Sequence, residues 1–322
     1  MPVSSGALER LSAIPQSRLL HDARLAPYTR FHIGGPAAVL FDTPRTSRFL
    51  DALRAVIDLE VRHTIIGGGT NLIVSDDGFE GVVLRCTEPR IVIDGAALRA
   101  DAGAVLQDVV DASIAAGLSG IETLTGIPGY LGGAIYGNAG AYGHSIEEVI
   151  ETVHFTDGEQ LLKFTPAECG FRYRHSTFKE HKKWIVLAAE LRLKPGHSET
   201  LAKIASEIRE IRDAKYPPVM RCAGSIFKNL LFVELPPAVQ SVTPESVIRE
   251  GKVPSAWFLE QVGAKGVRKG DIQVATYHAN LIYNDGAGKA SDLVELIREL
   301  KSKVYDRFGL ELEEEVQYVG FN

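Results

Sequence analysis

Val61-Arg62-His63-Thr64-Ile65-Ile66-Gly67-Gly68-Gly69-Thr70-Asn71-Leu72-Ile73-Val74 is a short apolar strand that runs straight into three glycines and out into a second β-like run. A glycine turn after a strand lets backbone amides approach a diphosphate, because no side chain stands in the way. The dinucleotide-binding form of such a turn needs G-x-G-x-x-G opening a helix. Here the third glycine and the helix are both missing, which disfavours a Rossmann domain. Three glycines are also ordinary turn chemistry, so the ligand reading and the plain turn both stand. Gly288-Lys289 has the look of a P-loop end, but Tyr283 and Ala290 occupy the positions where that loop needs glycine and a hydroxyl. That reading fails.

Upstream of the turn, the spacing of Phe49, Leu50, Leu53, Val56 and Ile57 predicts a helix over Arg45 to Glu60. Downstream, Gly81 to Arg85 continues the β pattern, and a second α/β stretch begins near Ile91. Val105, Leu106, Val109, Val110 and Ile114 form a helical stripe that ends at Gly117. Val149 to Leu193 alternates as antiparallel strand. Leu201, Ile204, Ile208 and Ile211 predict one buried side of a helix over Thr200 to Lys215, ended by Pro217 and Pro218 because proline lacks the donor a helix interior requires. Further on come a short helix near Ala256 to Val262 and a strand near Ala279 to Tyr283. Ser291 is the expected N-cap of a last helix with Leu293, Leu296, Ile297, Leu300, Val304 and Phe308 inward and Gly309 at its end. Leu310 to Val319 alternates and reads as a strand.

Between these elements lies Gly126-Ile127-Pro128-Gly129-Tyr130-Leu131-Gly132-Gly133-Ala134, continuing to Asn138-Ala139-Gly140-Ala141-Tyr142-Gly143. It is too apolar for a linker. Repeated glycine carries an entropic cost that close backbone approach to a large flat ligand would justify. The plain alternative is a compact loop packed on itself.

Composition narrows the function. The chain has 322 residues, 45% hydrophobic and 24% charged, which suits an ordinary globular protein of two or three compact parts. A net charge of -6 argues against broad nucleic-acid binding, and the short basic stretch Lys179 to Lys183 reads as a solvated turn. No apolar run reaches the roughly 20 residues that cross a bilayer. Met1 to Leu20 lacks the pattern of a secretory signal. Cys86, Cys169 and Cys222 neither pair evenly nor share metal-ligand spacing, and they read as small packed side chains in a reducing compartment. The histidines are scattered, so no metal is expected.

Tyr28-Thr29-Arg30-Phe31-His32-Ile33-Gly34-Gly35-Pro36-Ala37, the Gly67 to Leu72 turn and the Gly126 to Gly143 loop occur in a telling order. They are followed by Phe171-Arg172-Tyr173-Arg174-His175-Ser176, by Cys222-Ala223-Gly224-Ser225-Ile226-Phe227-Lys228-Asn229 and by the Glu313 to Gly320 tail. Over about Leu25 to Gly320 the chain resembles the UDP-N-acetylenolpyruvoylglucosamine reductase family. The resemblance implies an α+β fold: two FAD-binding subdomains of the vanillyl-alcohol-oxidase type and a C-terminal α/β substrate domain. Their expected limits are 1–83, 84–214 and 215–306, with 307–322 returning to the site. It implies non-covalent FAD, NADPH as co-substrate and a cytoplasmic step of peptidoglycan precursor synthesis. In that step UDP-N-acetylglucosamine enolpyruvate becomes UDP-N-acetylmuramate.

Site positions follow from the same resemblance. The FAD diphosphate falls to Gly67, Gly68, Gly69, Thr70, Asn71 and Leu72. The flavin and its linker fall to Ile127, Pro128, Gly129, Gly133, Ala134, Asn138, Gly140, Ala141 and Tyr142, with Arg212 as a further FAD contact. Tyr173, Lys215, Asn229, Lys265 and His278 match substrate-binding positions. Hydride addition to the enolpyruvyl terminal carbon drives charge onto the neighbouring carbon and its carboxylate, so the site needs cationic or donating groups there, and then a proton. Arg174 matches the charge stabiliser, because a guanidinium stays charged and meets a carboxylate with paired donors. Ser225 matches the proton donor. Glu315 matches the third active-site residue, which needs a raised pKa or a close cation such as Arg174 or Lys215.

Without the resemblance, Arg174 reads as an arginine on a solvated strand and Ser225 as turn chemistry. Glu315 would share a solvent face with Glu311 and Glu313. Leu230 stands where the family commonly has proline, Tyr277 where a basic residue often precedes the histidine, and Tyr130-Leu131 where residues are smaller. Arg174 to Val186 has no room for the extra substrate-covering loop of one branch of the family. Two other functions fit the same scaffold: an oxidase that tethers its flavin to His32 or His144, and a binding protein without turnover.

Overall fold

A computed structural model describes residues 3–321, which form two compact units. The first takes 3–23, Ala37–Gly69 and Phe79–Ala214; the second takes Arg24–Pro36, Thr70–Gly78 and 215–321. The division is discontinuous. Sequence cuts after 83 and 306 do not match it, because 24–36 and 70–78 join the second unit through β pairing and core contacts that lie far off in the chain.

In the first unit, strands Pro36–Thr43 and His63–Ile66 flank Phe79–Cys86 in parallel, with Arg18–Arg24 at the edge. Helix Thr46–Asp58 buries Phe49, Ala52, Leu53, Ala55 and Val56 in one core cluster with Val39, Phe41, Val82 and Leu84. Its N-terminus has no cap from its own Arg45; the Glu88 carboxylate accepts from the Thr46 amide at 3.0 Å. A negative group there satisfies an orphan donor and faces the positive end of the helix dipole.

The alternation over 149–193 becomes the heart of an antiparallel sheet. Its order is Leu161–Phe164, Ile150–Thr156, Ile185–Arg192, Ala97–Asp101, Ile91–Asp94. Helix Leu106–Ala115 buries Leu106, Val109 and Val110 and ends before Gly117, whose φ of 67° is the left-handed turn-off glycine allows. Helix Ser198–Lys215 buries Leu201, Ala205 and Ile208, whereas Ile211 is 57% exposed. The expected stripe therefore ends a turn early. The glycine-dense loop also contains an element the sequence did not suggest, helix Leu131–Tyr136. Gly132 and Gly133 argue against a helix by propensity. Packing overrides them: Leu131 and Ile135 are fully buried, and a methyl on Gly132 would meet the Ala102 Cβ at 2.8 Å.

The second unit is built on a four-stranded antiparallel sheet, Arg221–Ser225, Leu281–Asn284, Ile272–Val274, Arg268–Lys269. Helix Ala290–Phe308 lays Leu293, Leu296, Ile297, Leu300 and Val304 into a core shared with Leu281, Ile282, Phe258 and Phe31. Gly309 closes it with φ 65°, as expected. Ser291 is not its cap. Lys289 holds that position without a side-chain bond, and Asp76 accepts from the amides of Ala290 and Ser291 at 2.7 and 2.9 Å. Residues 310–316 are not a regular strand either. Only Gln317–Val319 is, and it pairs in parallel with Leu72–Val74. Gly35 is explained here: a methyl on it would strike the Asp76 carbonyl at 2.1 Å. Among the described residues, no helix is long and apolar enough to cross a membrane.

Candidate active site

In the second unit, strand Arg221–Ser225 slips its register against Leu281–Asn284 between Cys222 and Ser225, at a point where Gly224 takes φ 77°. Such a bulge re-aims the side chain that follows it. Ser225 is half-buried, and its hydroxyl lies 3.1 Å from the Tyr216 hydroxyl. Beyond it the chain is clamped. Asn280, 2% exposed, accepts from the Phe227 amide at 2.9 Å and donates to the Phe227 carbonyl at 2.8 Å, while the Ile226 amide donates to the Asn280 carbonyl at 3.1 Å.

Glu315 is tied to the same loop. Its amide donates to the Ile226 carbonyl at 2.7 Å, and its carbonyl accepts from the Asn71 side-chain amide at 2.9 Å. Asn71 also accepts at its backbone carbonyl from Gln317, at 2.9 Å. Flanking residues lock this tail. Glu313 pairs with Lys228, and Glu314 accepts from Lys301 at 2.7 Å and from the Tyr318 hydroxyl at 2.5 Å. Burial, together with Glu314, pushes the Tyr318 phenol up. The strand periodicity that placed Glu315 beside Glu311 and Glu313 is broken here: Glu311 and Glu313 are exposed, and Glu315 is half-buried. One hydrogen bond therefore separates the Glu315 backbone from the residue after Ser225.

Other expected substrate positions lie in this unit. Lys215 is exposed, with its ammonium 5.1 Å from the centre of the Tyr216 ring and its carbonyl accepting from Tyr277 at 3.0 Å. Burial, then the nearby Lys215 charge, pushes His278 down to about 4. Its Nδ1 accepts from the Asn280 amide at 3.1 Å, which leaves the proton on Nε2. Asn229 accepts from the Ser255 amide at 3.3 Å. Lys265 is paired with Glu260 at 2.9 Å.

Arg174 lies in the first unit, on a tight turn closed by a bridge between Arg172 and His175 and not on a strand. Its φ is 53°. Left-handed backbone costs a non-glycine residue about 1–2 kcal/mol and recurs where side-chain placement is functional. The turn is over-determined. Arg174 donates to the Gly140 carbonyl at 2.8 Å, Lys179 donates to the Arg174 carbonyl at 2.9 Å, and the guanidinium stands 5.3 Å from the Tyr173 ring centre. Lys179, expected in a solvated turn, thus braces the arginine.

The first unit also brings its two glycine segments together. A methyl on Gly68 would sit 3.2 Å from the Gly129 Cα, and the Tyr130 ring lies 3.6 Å from such a methyl on Gly67 or Gly68. Tyr130, larger than the family pattern, receives a hydrogen bond from Arg85 at 2.6 Å, while Leu131 is core. Arg212 approaches Gly126, where a methyl would lie 3.1 Å from its side chain. Gly133 faces open space. Asn138, 2% exposed, gives its amide to the Arg172 carbonyl at 3.0 Å, yet its Oδ1 is buried and lacks a partner; the Thr123 hydroxyl is in the same position. Buried polar atoms are rarely left unsatisfied. A cradle lined by glycine backbone, with Gly133 facing open space, fits a large flat group bearing a diphosphate, as FAD does. Thr123, Tyr216 and Asn280 went unread in the sequence because no periodicity marks them.

His144, weighed above as a flavin tether, is paired with Glu148 at 2.9 Å. The three cysteines are free, and burial pushes Cys169 up to about 12. Among the described residues, no group of three or more His, Cys, Asp or Glu side chains is placed to hold a metal ion.

Comparison with known proteins agrees with the resemblance. The model for the C-terminal domain of UDP-N-acetylenolpyruvoylglucosamine reductase matches residues 216–319, and that for an FAD binding domain matches residues 43–159. A UDP-N-acetylenolpyruvoylglucosamine reductase of Solibacter usitatus is 52% identical over 311 residues, 97% of this chain and 100% of that protein. One from Carboxydothermus hydrogenoformans is 35% identical over 97% of each chain. The crystal structure of UDP-N-acetylenolpyruvylglucosamine reductase from Thermus caldophilus matches with a TM-score of 0.72 and 28% identity, covering 94% of this chain and 98% of that one. The chain belongs to the UDP-N-acetylenolpyruvoylglucosamine reductase family, and it is an FAD-dependent oxidoreductase of mixed α and β fold.

Proposed function

We propose that the chain reduces UDP-N-acetylglucosamine enolpyruvate to UDP-N-acetylmuramate with NADPH, a cytoplasmic step in making peptidoglycan precursors. FAD, when bound, would supply the hydride chemistry between NADPH and the terminal carbon of the enolpyruvyl ether. The glycine cradle around Gly67 to Gly69 and Ile127 to Tyr142 holds the cofactor, with Thr70, Asn71, Leu72 and Arg212 as further contacts. Tyr173, Lys215, Asn229, Lys265 and His278 bind substrate. The lysines supply positive charge for the diphosphate and carboxylate, and His278, neutral at pH 7, offers its Nε2 hydrogen without adding charge.

Arg174 stabilises the carboxylate as charge flows into it. Ser225 gives its hydroxyl proton to the carbanion-like carbon. A hydroxyl is a weak acid, but against such a carbon the driving force is large. Glu315 stands as the third active-site group, on the tail that adjoins the Ser225 loop. One observation supports pairing Ser225 with Glu315: the Glu315 amide binds the Ile226 carbonyl at 2.7 Å, which sets a carboxyl-bearing residue against the Ser225 loop.

Anaerobic half-reactions test it. NADPH should bleach the bound flavin, and the enolpyruvyl substrate should restore its colour. Ser225→Ala and Glu315→Gln should bleach at near the normal rate, and their recolouring should slow about 100- to 10,000-fold, the usual range for losing a proton-transfer group. Equal slowing of both halves would make these residues structural. A flavin that NADPH never bleaches would remove the activity altogether.

A further inference from the structure

We propose that Tyr216 stands behind Ser225 as the second hydroxyl of a two-step proton chain, replacing the proton that the serine gives up. The proposal rests on the reading of Ser225 as the donor. It starts from the 3.1 Å contact between the two hydroxyls, within the reach at which catalytic protons move.

A serine hydroxyl carries one hydrogen and can aim it at one acceptor. When that hydrogen points at the substrate carbon, the serine oxygen must accept from something else. The Tyr216 phenol is placed to donate to it. In the transfer, the Ser225 O–H bond breaks as the new C–H bond forms. The alkoxide left on Oγ takes the Tyr216 proton, so the phenol O–H breaks as the serine O–H re-forms. The resulting phenolate regains a proton from water. The second transfer runs downhill, because a phenol has a pKa near 10 and is far more acidic than an alkyl hydroxyl.

Three features favour tyrosine in this role. The Lys215 ammonium lies over the Tyr216 ring, 5.1 Å from its centre, and helps fix the ring in place. Tyr216 is itself only partly buried, as a group that exchanges a proton with water must be. The backbone is held where the relay needs it, with Tyr277 donating to the Lys215 carbonyl at 3.0 Å. His278, whose ring centre lies 6.3 Å from that of Tyr216, is no rival source. Its Nδ1 is occupied as an acceptor from Asn280, and burial keeps the ring neutral. Tyr216 acts through Ser225 and is therefore a positioning and relay residue.

The test uses the full-length, FAD-loaded enzyme with Tyr216→Phe, which keeps the ring over Lys215 and removes only the hydroxyl. Recolouring of NADPH-reduced flavin by UDP-N-acetylglucosamine enolpyruvate should slow by about 10- to 100-fold. Its solvent deuterium isotope effect should rise, as proton supply becomes limiting. Bleaching by NADPH should change by no more than about twofold, which also reports a folded, loaded protein. Added to Ser225→Ala, the substitution should cost nothing further, because residues acting as one unit are not additive. Wild-type recolouring in Tyr216→Phe beside a stalled Ser225→Ala would overturn the relay while leaving the serine as donor. A full additional loss in the double variant would do the same. Normal recolouring in Ser225→Ala would instead sink the donor reading, and this inference with it.

Discussion

In the first unit, the segments around Gly68 and Gly129 approach closely because neither carries a side chain. In the second, Ser225 and Glu315 are fixed by backbone hydrogen bonds and one buried amide, Asn280. The cradle is shaped by what is missing. Room for backbone to meet a ligand is its asset. The ladder is shaped by saturation: the polar groups of Phe227, Ile226 and Glu315 that the hydrogen bonds name are already matched within the protein. A ligand-shaped cradle should be sensitive to added bulk and indifferent to lost hydrogen bonds, and the ladder should be the reverse.

The largest effect is expected where the ladder is cut. Asn280→Ala leaves the Phe227 amide and carbonyl buried without partners, at about 1–3 kcal/mol each. A loss of about 3 kcal/mol in unfolding free energy should follow, read as a lowered urea midpoint. Recolouring by substrate should suffer with it, while the cradle's FAD content in the folded protein stays close to wild type. An unchanged midpoint would mean the clamp is not what holds the Ser225 loop.

Bulk is the complementary probe. Gly68→Val sets branched carbon where a single methyl already lies 3.2 Å from the Gly129 backbone. Overpacking of that kind costs about 1–3 kcal/mol. Borne by the cradle, this corresponds to FAD affinity weakened by roughly 10- to 100-fold, measured by titrating the apoprotein. Full FAD affinity in this variant would show that the diphosphate does not approach the Gly67 to Gly69 turn.

Periodic elements were legible in the sequence, and aperiodic contacts were not. The stripe from Leu293 to Val304 and Gly309 declared their helix because local spacing decides it, and the alternation around Val153 and Ala189 declared the antiparallel sheet for the same reason. Asp76 caps that helix from 214 residues away, and no local signal reports such a bond, so Ser291 took its place. Ile211 kept the helical phase but lies beyond the reach of the core. Leu131–Tyr136 folds as a helix against its own glycines because tertiary burial outweighs propensity. Arg174, Ser225 and Glu315 were legible only through the resemblance. Their surroundings here are a left-handed turn, a bulge and an irregular tail, three departures from the periodicity by which sequence is read.

Acid should separate the two regions a third way, by a smaller margin. His278 is held at about 4 against an ordinary 6.5, through burial and the Lys215 charge. Above pH 6.5 it is neutral folded or unfolded, and its contribution to stability is fully present. Between pH 6.5 and 4 the unfolded chain takes up a proton that the folded one refuses, so stability falls as pH falls; below 4 it changes no further on this account. The full shift would be worth about 3.4 kcal/mol, and partial exposure brings it to roughly 2. His278→Asn retains an acceptor for the Asn280 amide and cannot titrate. Its unfolding free energy, measured in urea at pH 7 and pH 4.5, should drop by roughly 1–2 kcal/mol less than the wild type's over that interval. Since Asn280 links His278 to Phe227, acid should loosen the ladder while FAD stays in its cradle. Equal losses in both proteins would mean that protonating His278 does not reach the clamp, and the acid sensitivity would then belong to the carboxylates.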